Sequence, residues 1–140
     1  MNKKEVKELK DIGFDKDELK KIYSKVKNLE IDFSIGNYRF ILDAMIDGIE
    51  RDELSNDTYV LGCFSDWFIA DILDVDLDVI QALQKAEAFD AIGKMMLKHI
   101  DEVQSKYASI DGYGHHFSSY DDNENEVTLN GSFYHVFRTN

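Results

Sequence analysis

Proline does not occur in this 140-residue chain, cysteine and tryptophan occur once each, and no basic residue lies between Arg51 and Lys85. Without proline there is no polyproline linker or proline-rich ligand tract. With Cys63 alone, no internal disulfide can form, which fits a reducing compartment. No apolar run approaches the roughly 20 residues of a membrane span. The opening Met1-Asn-Lys-Lys-Glu-Val-Lys-Glu8 also lacks the apolar centre of a signal peptide, so a cytoplasmic location is expected. Low-complexity segments and repeats with periods of roughly 20 to 50 residues are missing as well, so nothing marks an array.

What is present is acid. The formal net charge is −12, and 44% of residues are apolar, enough to build a core at this length. The charge is unevenly spread: residues 1–28 carry nine lysines against six acids, and residues 29–140 carry seven bases against 22 acids. Between residues 41 and 80 eleven acids face Arg51 alone. An ordinary soluble surface mixes both signs, so such a segment points either to solubility or to a basic partner. It argues against direct binding to nucleic acid or to anionic membranes.

The pattern predicts an α+β chain, mostly helical, folded as a single domain over 1–140. Its parts are a basic helical arm (1–28), a hairpin plus acidic helical body (29–110) and C-terminal antiparallel strands (111–140). Val6, Leu9 and Ile12 suggest a first helix that Gly13 ends; Asp15 and Glu18 then cap a second, which buries Leu19, Ile22, Tyr23 and Val26. From Leu29 the apolar period becomes two, predicting a strand through Ile35, a turn at Gly36-Asn37 and a return strand over Tyr38–Ile41. Asp43 is placed to cap a third helix bearing Met45, Ile46, Ile49 and Leu54. The stretch Tyr59–Leu73, with Cys63 as a small hydrophobe, reads as the central buried helix, and Leu77–Tyr107 as a long helical run. His115–Tyr120, Glu126–Leu129 and Ser132–Arg138 read as three strands, the last two joined at Asn130-Gly131.

Several constellations invite chemistry. Phe68–Leu83 has helix-turn-helix spacing, but Asp74 sits where glycine is usual, and Asp71, Asp76 and Asp78 would repel phosphates. Asp74, Asp76 and Asp78 begin like a calcium loop, yet Val79 and Lys85 occupy the positions that need glycine and a bidentate glutamate. The loop Asp121–Glu126 fails the same test and reads as a solvated hairpin tip. His115 or His116 could meet His135 across a sheet, but a zinc site needs further ligands, so these histidines are expected to be structural. Ser118 and Ser119 lack any motif that would present a nucleophile. The aromatics Tyr113, Phe117, Tyr120, Phe133, Tyr134 and Phe137 lack interleaved bases and are expected to pack in a core. No enzyme, cofactor or metal is indicated.

Tyr38-Arg-Phe-Ile41, Asp52-Glu-Leu54, Tyr59-Val-Leu-Gly-Cys-Phe64, Trp67-Phe-Ile-Ala70, Asp111-Gly-Tyr-Gly-His-His-Phe117 and Phe137-Arg-Thr-Asn140 together resemble small uncharacterised bacteriophage proteins, over roughly residues 30–140. The resemblance implies a phage or prophage origin and carries over no catalytic residue. In size and charge the chain is also similar to phage anti-restriction and anti-CRISPR proteins. The expectation is an inhibitor that binds a basic nucleic-acid-binding defence or host protein, by DNA mimicry, through Asp43, Asp47, Glu50, Asp66, Asp71, Asp74, Asp76 and Asp78. Carboxylates on successive helical turns lie about 5 to 6 Å apart, near the spacing of phosphates along a strand. The alternative is a non-catalytic interaction or regulatory module, homodimeric and without mimicry.

Overall fold

In the computed structural model, which describes residues Met1–Asn140, the helices start at the cap signals in the sequence. The Asn2 side chain accepts from the Glu5 N–H and Glu5 returns the bond to Asn2, opening α1 (Lys3–Ile12). Asp15 and Glu18 do the same for α2 (Lys16–Lys27). Such reciprocal bonds satisfy N–H groups that a helix start otherwise leaves orphaned.

Two compact units form, one from Met1–Ile46 with Asp111–Asn140 and one from Asp47–Ile110. The first holds a four-stranded antiparallel sheet of order β1-β2-β4-β3, made from β1 (Asp32–Ile35), β2 (Tyr38–Leu42), β3 (Asn125–Leu129) and β4 (Ser132–Arg138). Each hairpin turns in two residues: Gly36 has φ +58°, and Asn130 and Gly131 have φ +51° and +81°, the mirror-image turn that suits strand twist. On one face α1 and α2 bring Leu9, Phe14, Leu19, Ile22 and Val26 onto Phe33, Phe40, Val127, Tyr134 and Val136. Glu5 also accepts from the Asn130 N–H at 2.9 Å, tying α1 to the β3–β4 turn. The other face carries His135 and Phe137, with the short α9 (Tyr113–Phe117) laid on β4.

Helices build the second unit: α3 (Asp43–Ser55) from Asp47 onward, α4 (Thr58–Gly62), α5 (Asp66–Leu73), α6 (Leu77–Lys85), α7 (Phe89–Leu97) and α8 (Ile100–Asp111) up to Ile110. Leu61, Phe68, Ile69, Ile72, Ile80, Ile92, Met96 and Val103 make its core. α4 and α7 touch backbone to backbone. A β-carbon at Gly62 would overlap the Phe89 carbonyl, and one at Gly93 the Thr58 carbonyl, so both positions require glycine.

The class is thus α+β, with the N-terminal hairpin where the periodicity puts it. Several local expectations are corrected. Leu29 does not begin the strand: it takes a left-handed φ of +56° and closes α2, with Glu30 N–H bonded to Lys25 O and Leu29 N–H to Val26 O. The run 77–107 breaks into three helices, the first closed in the same way at Glu87. Tyr59–Leu73 is two helices, with Cys63 exposed and Trp67 half exposed. His115–Tyr120 is not a strand but α9 and a turn, because β2 and β3 already occupy both edges of β4. No helix is long and apolar enough to cross a membrane.

Candidate functional site

The eight acids singled out above meet four different fates. Glu50 lies four residues after Ile46 and four before Leu54, on the inward stripe of α3, and is fully buried. Its Oε1 accepts from the Gln104 amide at 2.9 Å, and its Oε2 has no partner. Burial pushes the carboxyl up to about 7 against the lowering bond from Gln104, and the charges of Asp47 and Glu53 add to the rise. Glu50 is therefore not a surface carboxylate offered to a partner, which corrects its place in the predicted set. Asp47 shares the same Gln104 amide at 2.9 Å, and Asp43 is taken by His135.

Asp66 and Asp71 are engaged in holding the α5–α6 pair and its surroundings. Asp66 accepts from the Trp67 N–H at 2.7 Å and from the Gln81 amide at 3.0 Å. Asp71 pairs with Lys106, whose ammonium also lies over the rings of Trp67 and Phe68. Asp74 and Asp76 stand exposed on the α5–α6 connection and Asp78 on the first turn of α6. Asp74 holds the left-handed conformation that usually falls to glycine, at φ +54°, so the chain makes the tight helix-turn-helix corner with an acid in it.

The chain neighbours of these three acids, Val75 and Val79, line an apolar groove of about 320 Å³, together with Leu73, Ile80, Leu83 and Met95. Lys98 and His99 also line it. Val75, Val79 and Met95 are 41%, 48% and 38% exposed, a contiguous apolar surface that folding leaves open to water. The groove is lined by residues from the end of α5, from α6 and from α7, so it is a tertiary feature.

The sheet unit gathers a different set. His135 on β4 is 4% exposed, enclosed by the rings of Tyr113, Phe133 and Phe137. Its Nδ1 lies 2.6 Å from a Glu124 oxygen and its Nε2 lies 2.8 Å from an Asp43 oxygen. Ionised carboxylates only accept, so in this arrangement both ring nitrogens carry hydrogen. Burial works against that cation, but the bonds and charges of Asp43 and Glu124 outweigh it and the pKa rises. Glu126 stands directly across from His135 in the β3–β4 register.

His115 and His116 sit on α9, away from the strand position expected for them; His115 lies near Asp122, and the His116 ring packs on Phe117. Ser118 Oγ is 2.7 Å from the Arg138 carbonyl and Ser119 Oγ 2.6 Å from that of Thr139, so both hydroxyls tie backbone. Glu124 and Glu126 escaped the sequence reading, which placed them in a solvated tip. A signal existed: a two-residue turn at Asn130-Gly131 forces Glu126 opposite His135, and alternation puts Glu124 on the same face. Comparison with protein-family models, with curated proteins and with solved structures finds no match for this chain.

Proposed function

We propose that this protein is a non-catalytic binding protein that captures a basic partner through the groove of its helical unit. The carrying observation is the apolar groove lined in part by Val75 and Val79, the chain neighbours of the exposed Asp74, Asp76 and Asp78, in a stretch with no base between Arg51 and Lys85. A complementary segment is an amphipathic helix whose apolar row fills the groove and whose lysines or arginines meet the acids. Lys98 and His99, which also line the groove, favour a carbonyl or acid on that segment. Basic segments of this kind belong to nucleic-acid-binding proteins, so inhibition of such an enzyme, as in phage anti-defence proteins, is the reading the charge favours. With Glu50 buried and Asp43, Asp66 and Asp71 internally bonded, short acidic recognition supports capture better than an extended imitation of a DNA backbone does.

The test uses the full chain as bait in a bacterial lysate, beside a D74N/D76N/D78N variant and a Val79→Lys variant, at about 50 and 300 mM salt. Near 0.3 M the reach of a surface charge falls to well under the roughly 10 Å it has at 0.1 M. Capture of a nucleic-acid-binding protein that either variant abolishes and salt weakens supports the reading. Capture that survives both variants overturns it.

A further inference from the structure

We propose that His135, Glu124 and Glu126 form a binding site for one divalent first-row transition-metal ion such as Zn²⁺ or Mn²⁺, with Asp43 as the residue that orients the imidazole.

The three side chains come together through strand geometry. Glu124 and Glu126 are two residues apart and share one face, and His135 pairs with Glu126 across the β3–β4 ladder. One ligand atom from each lies within 4.8 Å of the other two. Tetrahedral bonds of about 2.0 to 2.2 Å to nitrogen and oxygen put ligand atoms about 3.3 to 3.6 Å apart, so binding draws the exposed Glu126 side chain inward by a change of rotamer.

What separates this set from a chance group of surface acids is the histidine. It is buried, its ring is held by Tyr113, Phe133 and Phe137, its Nδ1 lies against Glu124, and Glu126 stands opposite it in the ladder. Its other nitrogen donates to Asp43 at 2.8 Å, from a different element, the first turn of α3. A ligand histidine whose second N–H is anchored on a carboxylate is the arrangement that metal sites use to fix ring orientation and raise basicity. Three carboxylates around one imidazole also collect more negative charge than the ring can offset, which a divalent ion balances. On binding, the ion replaces the Nδ1 proton, which leaves to solvent. One imidazole with two carboxylates selects a borderline first-row ion over Ca²⁺ or Mg²⁺, which prefer oxygen alone.

The experiment is calorimetric titration of the metal-free full chain with Zn²⁺ and, separately, Mn²⁺ and Ca²⁺, backed by metal analysis after desalting. The expected result is one Zn²⁺ per chain, weakened about 100-fold or more by Glu126→Gln and by Glu124→Gln, and by about 10- to 100-fold by Asp43→Asn. Glu126 is exposed, so its variant keeps the fold, which far-ultraviolet dichroism checks. Co²⁺ should give a visible d–d spectrum that the Glu126→Gln protein does not. Three outcomes overturn the proposal: no Zn²⁺ uptake by the wild type, uptake that Glu124→Gln and Glu126→Gln leave unchanged, or Ca²⁺ binding as tight as Zn²⁺. In the first case His135 is a cation held between carboxylates and nothing more.

Discussion

His135 in the sheet unit and Glu50 in the helical unit are both buried among apolar neighbours, and the two units treat them in opposite ways. In the sheet unit His135 has a carboxylate on each nitrogen, and both partners keep access to water. In the helical unit Glu50 has one oxygen bonded to Gln104 and the other unpartnered, with Asp47 and Glu53 nearby as like charges. A buried group of either sign is tolerated when opposite charge and donors surround it; without them it gives up its charge instead. The units differ in their backbones too. The sheet satisfies its backbone polar groups between strands, through three antiparallel pairings, whereas the helices satisfy theirs internally and pack α4 on α7 by close approach at glycine.

The largest effect should come from breaking that approach. Gly93→Ala drives a methyl into the Thr58 carbonyl, and a loss of about 3 kcal/mol or more is expected in urea unfolding. A wild-type midpoint in that variant would show that α4 and α7 can separate without cost.

Glu50 should yield nearly as much, with a definite sign. The folded carboxyl holds its proton up to about pH 7, while the unfolded one releases it near 4.5. Between these values the folded state binds more protons, so this contribution to stability is fully present below about pH 4.5, falls as pH rises through 7 and then levels off. The span is about 3 kcal/mol at 1.36 kcal/mol per pH unit. Glu50→Gln should flatten the profile and make the variant the more stable protein at pH 8. A wild-type slope in that variant would mean that another group titrates.

His135→Leu should move the other way. It strands the carboxylates of Asp43 and Glu124 against an apolar side chain and is expected to cost about 2 kcal/mol at pH 7. Removing the half-paired group then stabilises while removing the fully paired one destabilises; equal signs would erase the contrast between the units.

The smallest change sharpens a feature the units share. Leu29 and Glu87, one in each unit, close their helices in the left-handed conformation. Leu29→Gly and Glu87→Gly should each raise stability by about 0.5 to 1 kcal/mol, since glycine adopts that conformation without strain. A loss in either would show that its side chain contributes packing.

Much of the architecture could be read from local signals. Asn2 and Asp15 stand three residues before glutamates, Phe33 and Ile35 alternate with polar residues, and Asn130-Gly131 is a turn pair, so each element there follows from its own few residues. The site was less legible. Spacing on α3 placed Glu50 with Asp43 and Asp47 on an acidic face, although its distance from Ile46 and Leu54 places it inward. The histidine pair belongs to the stretch His115–Tyr120, expected as a strand beside His135, but β2 and β3 flank β4 on both sides.

By itself, then, the sequence determined the capped helices, the two hairpins and the base-free acidic stretch, because caps, turns and charge density act over a few neighbouring residues. Tertiary structure alone decided that β2 lies against β4, that Asp43 meets His135 from 92 residues away, that Glu50 alone of the eight acids is buried, and that α6 and α7 leave a groove. Those outcomes depend on which surfaces remain uncovered once every element has packed, and no short window of residues holds that information.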